Sequence, residues 1–418
     1  MSQTAAFTQR KFLITLVFVS SLFMLWGIAI TMGDVLNRHF QKALDISKAE
    51  SGLVQFSIFG AYAVMGIPAG LFMKRYGYKK GVLFGLLLYA LGAFLFVPAA
   101  NAESFLGFRG ALFVLACGLA TLETVAHPFI GALGDQRTSD QRINFGQAFN
   151  GLGAIIGPLV GGYFILRVGH GNTNDLTSVK TLYVIIGSVI TFIALAFSFV
   201  KVPPVVEPHG HDHQDGTTAA NGIAANQTVK PLFQNRHFKW AVITQFFNVC
   251  AQGGTWAFFI NYGVEKMPGF TDEKASYFFS MSMALMMMGR FLGTYLMRYI
   301  APNKLLAAYA LASIVMCVIV AQSWGWPSFI ALMLINFFFS IMFPTIFSLG
   351  LKNLGPHTQQ ASSFIVMGVV GGAIFPTLMG MVADKDVATA YYLPIICYFV
   401  IFLFGFKFYK VRTAAVNA

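Results

Sequence analysis

Charge is what this chain has least of. Only 11% of its 418 residues are Asp, Glu, Lys or Arg, against about a quarter in an average soluble domain. No polar stretch is long enough to fold as a soluble domain of about 100 residues, so an ordinary water-soluble enzyme is excluded. Cysteine is scarce too. Cys117, Cys250, Cys317 and Cys397 sit inside apolar stretches at no metal-ligand or redox spacing, and read as small core residues with no disulfide framework and no metal site. His-Glu-x-x-His, Gly-x-Ser-x-Gly and Gly-x-x-x-x-Gly-Lys-Ser/Thr are absent, so neither an enzyme nor a cofactor is expected.

Hydrocarbon is what is abundant, with 56% hydrophobic and 15% aromatic residues. A spanning helix needs about 20 mostly apolar residues. Hydropathy predicts twelve, at 12–33, 52–73, 81–100, 105–130, 145–167, 181–200, 238–262, 275–297, 304–322, 327–350, 362–382 and 391–409. Arg10 and Lys11 precede the first run as they would in a signal peptide, but the run is too long and no small-residue site closes it. The net charge of +12 therefore speaks of topology and the lipid bilayer, and no nucleic-acid partner is expected. Lys74, Arg75, Lys79, Lys80, Lys201, Lys230, Arg236 and Arg298 fall on loops on the side of the N-terminus, which places both termini in the cytoplasm.

The one long polar segment divides the spans six and six. The expected organisation is an N-terminal six-helix bundle at 1–200, a cytoplasmic linker at 201–237 and a C-terminal bundle at 238–418. His209, His211 and His213 alternate in the linker, where they lack the supporting shell of a metal site and read as solvated loop.

The halves also repeat. His127-Pro128-Phe129-Ile130-Gly131-Ala132-Leu133-Gly134 in span 4 matches Phe343-Pro344-Thr345-Ile346-Phe347-Ser348-Leu349-Gly350 in span 10 at Pro, Ile, Leu and Gly, an offset of 344 − 128 = 216. Pro158 in span 5 and Pro376 in span 11 give 376 − 158 = 218. Two segments with nearly one offset predict a duplicated unit: an all-α membrane protein of twelve helices in two pseudo-symmetric bundles, able to rock about a site near the midplane. Gly70 to Lys80, after span 2, resembles the loop 2–3 signature of the major facilitator superfamily, with Lys74 where that signature carries an acid.

Sixteen acidic residues are present, and fourteen fall on loops or their edges; the exceptions are Asp34 and Glu123. A carboxylate in hydrocarbon costs several kcal/mol unless it neutralises, pairs or faces water, so each is a candidate for proton coupling, Glu123 as the better proton carrier, with a structural buried pair with a base as its alternative. At about 1.5 Å per residue Asp34 lies about 18 Å outward of the middle of span 1, and Glu123 about 9 Å inward of the middle of span 4, which disfavours a bond between them. Asp34 reads as an entry or gating group, or as an interfacial residue near a helix end. His127 follows Glu123 at i, i+4 and either tunes it, carries a proton or is a hydrogen-bonded core residue. Arg290 is the one base well inside a span and reads as snorkelling inward, with the cavity as the alternative.

Asn144, Gln147 and Asn150 recur at spacing three on span 5, and Gln245, Asn248 and Gln252 at three or four on span 7, followed by Trp256. Amides offer the donors and acceptors that neighbouring sugar hydroxyls require, and an indole packs on the apolar face of a pyranose. Interhelical hydrogen bonding is the alternative.

Phe23-Met24-Leu25-Trp26-Gly27 with Gly33-Asp34-Val35-Leu36, Leu122-Glu123-Thr124-Val125-Ala126-His127-Pro128-Phe129, Gln147-Ala148-Phe149-Asn150, Phe343 to Gly350 and Ser362-Ser363-Phe364-Ile365-Val366-Met367 together resemble the fucose/galactose/glucose:proton symporters. The resemblance covers both halves. It implies a multi-pass importer of L-fucose or a related hexose in a bacterial inner membrane, driven by a cation gradient, with Asp34 and Glu123 in coupling and Gln147 and Asn150 at the sugar; a monomer is the expected state. The family usually shows Asn where this chain has Gly33 and His127, which leaves the sugar and the coupling ion open, Na⁺ included. Gly153 to Gly162 resembles an antiporter signature, and a drug/proton antiporter is the closest rival.

Overall fold

The computed structural model describes residues 7–134, 138–167, 176–200, 202, 231–354 and 358–411. His209, His211 and His213 lie outside the described residues, as does the side chain of Asn144.

The first helix, α1 (Leu13–Ala43), has 31 residues, about 46 Å at 1.5 Å per residue, and so outruns a hydrocarbon core of about 30 Å. Asp34 therefore stands well within a helix. The stretch Leu53–Phe94 is helical throughout except at Gly77 (φ 81°, ψ 172°), which divides it into α2 (53–76) and α3 (78–94). The Phe72 and Phe84 rings stack at 4.6 Å across that break, whereas twelve residues of straight helix would hold them about 18 Å apart. The chain doubles back there, at a left-handed backbone position that only glycine adopts without strain.

The remaining helices are α4 (Phe105–Ala132), α5 (Ser139–Gly161), α6 (Thr177–Phe199), α7 (Arg236–Ala257, prolonged by Phe259–Lys266), α8 (Asp272–Leu296), α9 (Pro302–Ala321), α10 (Trp326–Phe339, then Met342–Gly350), α11 (Thr358–Met367, then Gly371–Ala383) and α12 (Leu393–Leu403). Nine described helices are long and apolar enough to span alone, and the one that turns at Gly77 supplies two crossings. α7 and α8 complete the twelve. They are the least apolar because α7 carries Gln245, Asn248 and Gln252, and α8 opens on Asp272, Glu273 and Lys274.

Packing repeats between the halves. A Cβ added at Gly153 of α5 would lie 2.1 Å from the Met24 carbonyl oxygen of α1, and one at Gly157 would lie 2.8 Å from that of Ile28. In the second half a Cβ at Gly371 of α11 would lie 2.2 Å from the Phe246 oxygen of α7. Only glycine lets two backbones approach so closely. Gly153 and Gly371 stand 371 − 153 = 218 apart, the spacing of the repeat in the sequence.

Among the described residues, every hydrogen bond and ion pair that joins the two halves lies toward the face away from the start of α1. There Asn37 Nδ2 donates to the Ala257 carbonyl at 2.7 Å, Asn261 Nδ2 to Gln41 Oε1 at 2.5 Å, and Ser276 Oγ to the Pro158 carbonyl at 2.5 Å. Arg38 pairs with Asp272 at 2.7 Å, Lys42 reaches the same carboxylate, and Lys48 meets Glu265 at 3.0 Å. Phe59 of α2 packs on Val249 and Ala373 beneath them. One face is sealed, and among the described residues no such bond is seen joining the halves at the other.

Candidate functional site

Glu123 stands in the interior of the first half, between α1, α2 and α5. Trp26 Nε1 of α1 donates to the Tyr62 hydroxyl of α2, and that hydroxyl adjoins the Glu123 carboxylate. Leu22, Phe23, Trp26, Leu122 and Ala126 line, with Glu123 itself, a cavity of about 10 Å³, room for a single water. The carboxylate thus has a phenol beside it and an apolar surround, and the residue is half-buried rather than sealed. A carboxyl so placed can gain and lose a proton without breaking an ion pair.

His127 lies one turn along α4, but its bond is to the backbone of Glu123. Its Nδ1 sits 2.9 Å from the Glu123 carbonyl oxygen, and its Nε2 faces Gln147 Nε2 of α5 at 2.8 Å. The Phe23 ring meets the imidazole edge-on at 4.8 Å. Asn150, one turn beyond Gln147, donates from Nδ2 to the Phe23 carbonyl at 3.3 Å. The close contact of Gly27 with the Asn150 backbone is what brings this part of α5 against α1.

Asp34 belongs to a separate place. It is 1% exposed, beneath the sealed face. Gln55 Nε2 of α2 donates to its Oδ1 at 2.5 Å, while Oδ2 has no partner. Asn37, almost one turn on, is the residue bonded across to Ala257.

The residues of α7 are held differently. Gln245 and Asn248 are 0% exposed, and none of their side-chain nitrogens and oxygens has a partner. Trp256 Nε1 donates to Asn336 Oδ1 of α10 at 2.7 Å, and Asn336 Nδ2 donates to Ser282 Oγ of α8 at 2.8 Å. Gln252 is half-buried, as is Arg290, whose Nε has no partner.

Three participants are not singled out by sequence reasoning. Tyr62 is one of 15 tyrosines, and nothing local marks it as the one that reaches Glu123. Gln55 sits near the start of a span, where an amide is unremarked. Asp272 stands at the N-terminus of α8, which reads as a loop edge, yet it is 4% exposed and pairs with two cations from the other half.

Comparison with known proteins agrees with this architecture. Residues 12–376 match the model of the Major Facilitator Superfamily. The chain is 39% identical to the L-fucose-proton symporter of Escherichia coli (strain K12) over 95% of its own length and 93% of that protein. It is 34% identical to the glucose/galactose transporter of Brucella abortus (strain 2308), over 96% of each. The crystal structure of the transporter FucP in the outward conformation superposes with a TM-score of 0.67 at 37% identity, over 96% of this chain and 100% of that one. The D-xylose-proton symporter shares the fold, with a TM-score of 0.74 at 12% identity over 96% and 99%. With its twelve helices in two like halves and these relatives along nearly its whole length, the chain belongs to the Major Facilitator Superfamily, alongside the L-fucose-proton symporters and glucose/galactose transporters.

Proposed function

We propose that this protein imports a monosaccharide, L-fucose or a related hexose, by proton symport through alternating access. The observation that carries the reading is the junction on α4. A membrane-embedded carboxylate, Glu123, and the ring of His127 adjoin two amides of α5, Gln147 and Asn150, of the kind that grip sugar hydroxyls. A proton site and a polyol site thus share one helix face. Asp34, Glu123 and His127 form the coupling set. Gln147, Asn150, Asn144 and Gln252 bind the sugar, with Gln245, Asn248 and Trp256 on the α7 side. The names of the relatives, which specify fucose, protons, glucose and galactose, support the same substrate and ion.

The excess of Lys and Arg on the terminal side supports cytoplasmic termini in a bacterial inner membrane, with the bundles at 1–200 and 238–418 and a cytoplasmic linker at 201–237. The sealed face is then periplasmic and the conformation faces inward. The protein acts as a monomer and catalyses no covalent reaction. Proteoliposomes test the reading. Labelled L-fucose, challenged with galactose, glucose, mannose and N-acetylglucosamine, is expected to accumulate under an inward proton gradient and not under an inward Na⁺ gradient. Uptake that needs Na⁺ would reassign the ion, and failure to move any sugar would overturn the reading in favour of antiport.

A further inference from the structure

Both amides placed at the sugar site on α5 direct their NH₂ groups at the protein. Gln147 turns Nε2 to His127 Nε2 at 2.8 Å, and Asn150 donates from Nδ2 to the Phe23 carbonyl at 3.3 Å. Among the described residues neither side-chain carbonyl oxygen accepts a bond from the protein, and neither is sealed from water without a partner. Two acceptors, about one helical turn apart, are left to meet whatever occupies the site.

The orientation of Gln147 is imposed. His127 Nδ1 lies 2.9 Å from the Glu123 carbonyl oxygen, and a carbonyl can only accept, so Nδ1 carries the ring hydrogen. Nε2 of the neutral ring is then a bare acceptor, and it must be faced by an NH₂ and not by an oxygen. An Asn at this position could turn either end of its amide to Gln147 and would fix nothing.

We propose that His127 is a positioning residue of the sugar site, holding the Gln147 amide so that its carbonyl oxygen, with that of Asn150, receives two neighbouring hydroxyl donors of the substrate. The inference rests on the sugar-transport reading above. It selects a substrate by the hydrogens it donates, and a sugar whose corresponding hydroxyl is O-methylated is refused even though its oxygens remain. A second proton on the ring would reverse the arrangement. Nε2 would become a donor, Gln147 would have to turn its oxygen inward, and an NH₂ would face the sugar. The titratable groups around the ring are few. Its own helix presents Glu123, beside Tyr62 of α2; α1 presents Phe23 and α5 presents Gln147, neither of them titratable. Among the described residues no charged group of the second half is bonded to this cluster.

The test is counterflow exchange in proteoliposomes without any ion gradient, so that coupling does not enter. The label is the sugar the wild-type protein transports best, and the competitors are its mono-O-methyl and monodeoxy derivatives. His127→Asn is expected to raise the half-saturating concentration about fivefold, the effect of one neutral hydrogen bond, with a far smaller change in maximal rate. It is also expected to discriminate less than the wild type against one O-methyl derivative, and to flatten the rise of half-saturation from pH 8 to pH 5. Because His127 acts through Gln147, the double variant with Gln147→Met should be no worse than Gln147→Met alone. Additive losses in that cycle, or unchanged O-methyl discrimination in His127→Asn, would overturn the proposal. If His127→Asn fails to reach the membrane, His127→Gln takes its place in the cycle. Wild-type vesicles that exchange no sugar would overturn the transport reading itself, an outcome distinct from the others.

Discussion

Arg38 of α1 and Asp272 of α8 meet at 2.7 Å across the two halves, with side chains 11% and 5% exposed. Lys42 reaches the same carboxylate. Gln41 accepts from Arg38 Nη1 at 3.2 Å and from Asn261 at 2.5 Å, so the pair extends into a buried network, in which Asn261 Oδ1 is left without a partner. The same network cannot survive opening of this face, because its members belong to halves that must separate. Removing one partner of a buried pair strands the other, at a cost of about 3–5 kcal/mol, and each 1.4 kcal/mol or so is tenfold in population. Asp272→Asn is therefore expected to shift the protein by at least tenfold toward the state open at this face. Spin labels at Asp45 and Gly269, both exposed on that face, would report it as a longer distance population by double electron–electron resonance. An unaltered distribution would remove Arg38 and Asp272 from the latch.

The glycines of α5 admit a sharp mutational test. A Cβ at Gly153 would lie 2.1 Å from the Met24 oxygen and 2.9 Å from its carbon, both backbone atoms of α1 that cannot rotate away. At Gly151 the nearest atom is the Met287 sulfur at 3.6 Å, an ordinary contact. Gly153→Ala is expected to destabilise the protein by about 1–3 kcal/mol, the usual cost of overpacking, while Gly151→Ala stays within about 0.5 kcal/mol. Thermal unfolding in detergent would separate the two, and equal melting temperatures would contradict the packing described.

These glycines also mark where the sequence is legible and where it is not. Twelve spans follow from hydropathy because burial in lipid leaves a run of about 20 apolar residues in the primary structure, and the duplication is visible because Pro128 and Pro344 hold equivalent places. Gly153 to Gly162, by contrast, resembles an antiporter signature in sequence, while the structure uses Gly153 and Gly157 to seat α5 against α1. Glu123, His127, Gln147 and Asn150 are legible as polar exceptions in apolar helices. Their connections are not: that Glu123 meets Tyr62 and that His127 meets Gln147 depends on which helices neighbour α4. Asp272 escapes notice for another reason. An acid at a helix start is ordinary on a solvated edge, and only the approach of Arg38 from the other half buries it.

Outside the spans, Asp386 offers a pH-dependent test. Its Oδ1 lies 2.5 Å from Lys266 Nζ, and it caps the turn Val387–Ala390 by accepting from the backbone of Ala388 and Thr389. Partial burial by itself raises its pKa, but the bonds from Lys266 and from Thr389 prevail and hold the carboxyl well below the usual range. A depressed folded value means stability that is present above the unfolded value of about 3.9 and lost as pH falls through the folded one. Both side chains are about a third exposed, so the ion pair contributes at most about 1 kcal/mol. Asp386→Asn should melt slightly below the wild type at pH 7, by the same margin at pH 6, and by a shrinking margin below about pH 4. A difference that grows toward acid would carry the wrong sign.

Asp34 and Glu123 differ in access, and their variants should differ accordingly. Glu123 is half-buried beside a small cavity, whereas Asp34 is 1% exposed beneath the seal. Glu123→Gln keeps a group that Tyr62 can bond and removes the titrating proton; it is expected to abolish accumulation driven by a proton gradient while sparing counterflow. Tyr62→Phe removes the hydroxyl positioned to donate to the carboxylate and leaves Trp26 Nε1 without its acceptor. A hydrogen bond to a charged group contributes about 1.5–3 kcal/mol, so accumulation should fall about tenfold or more. Asp34→Asn retains an oxygen for Gln55, so binding should persist and accumulation should not. The difference in access is read directly with cysteines. In vesicles exposing the terminal face, Glu123→Cys should react with a membrane-impermeant maleimide and Asp34→Cys should not. Native Cys250, Cys317 and Cys397 are buried and Cys117 is only partly so, which leaves a low background once Cys117 is replaced by serine. Equal labelling of the two positions would mean that the seal over Asp34 does not hold, and with it would go the difference in access between the two carboxylates.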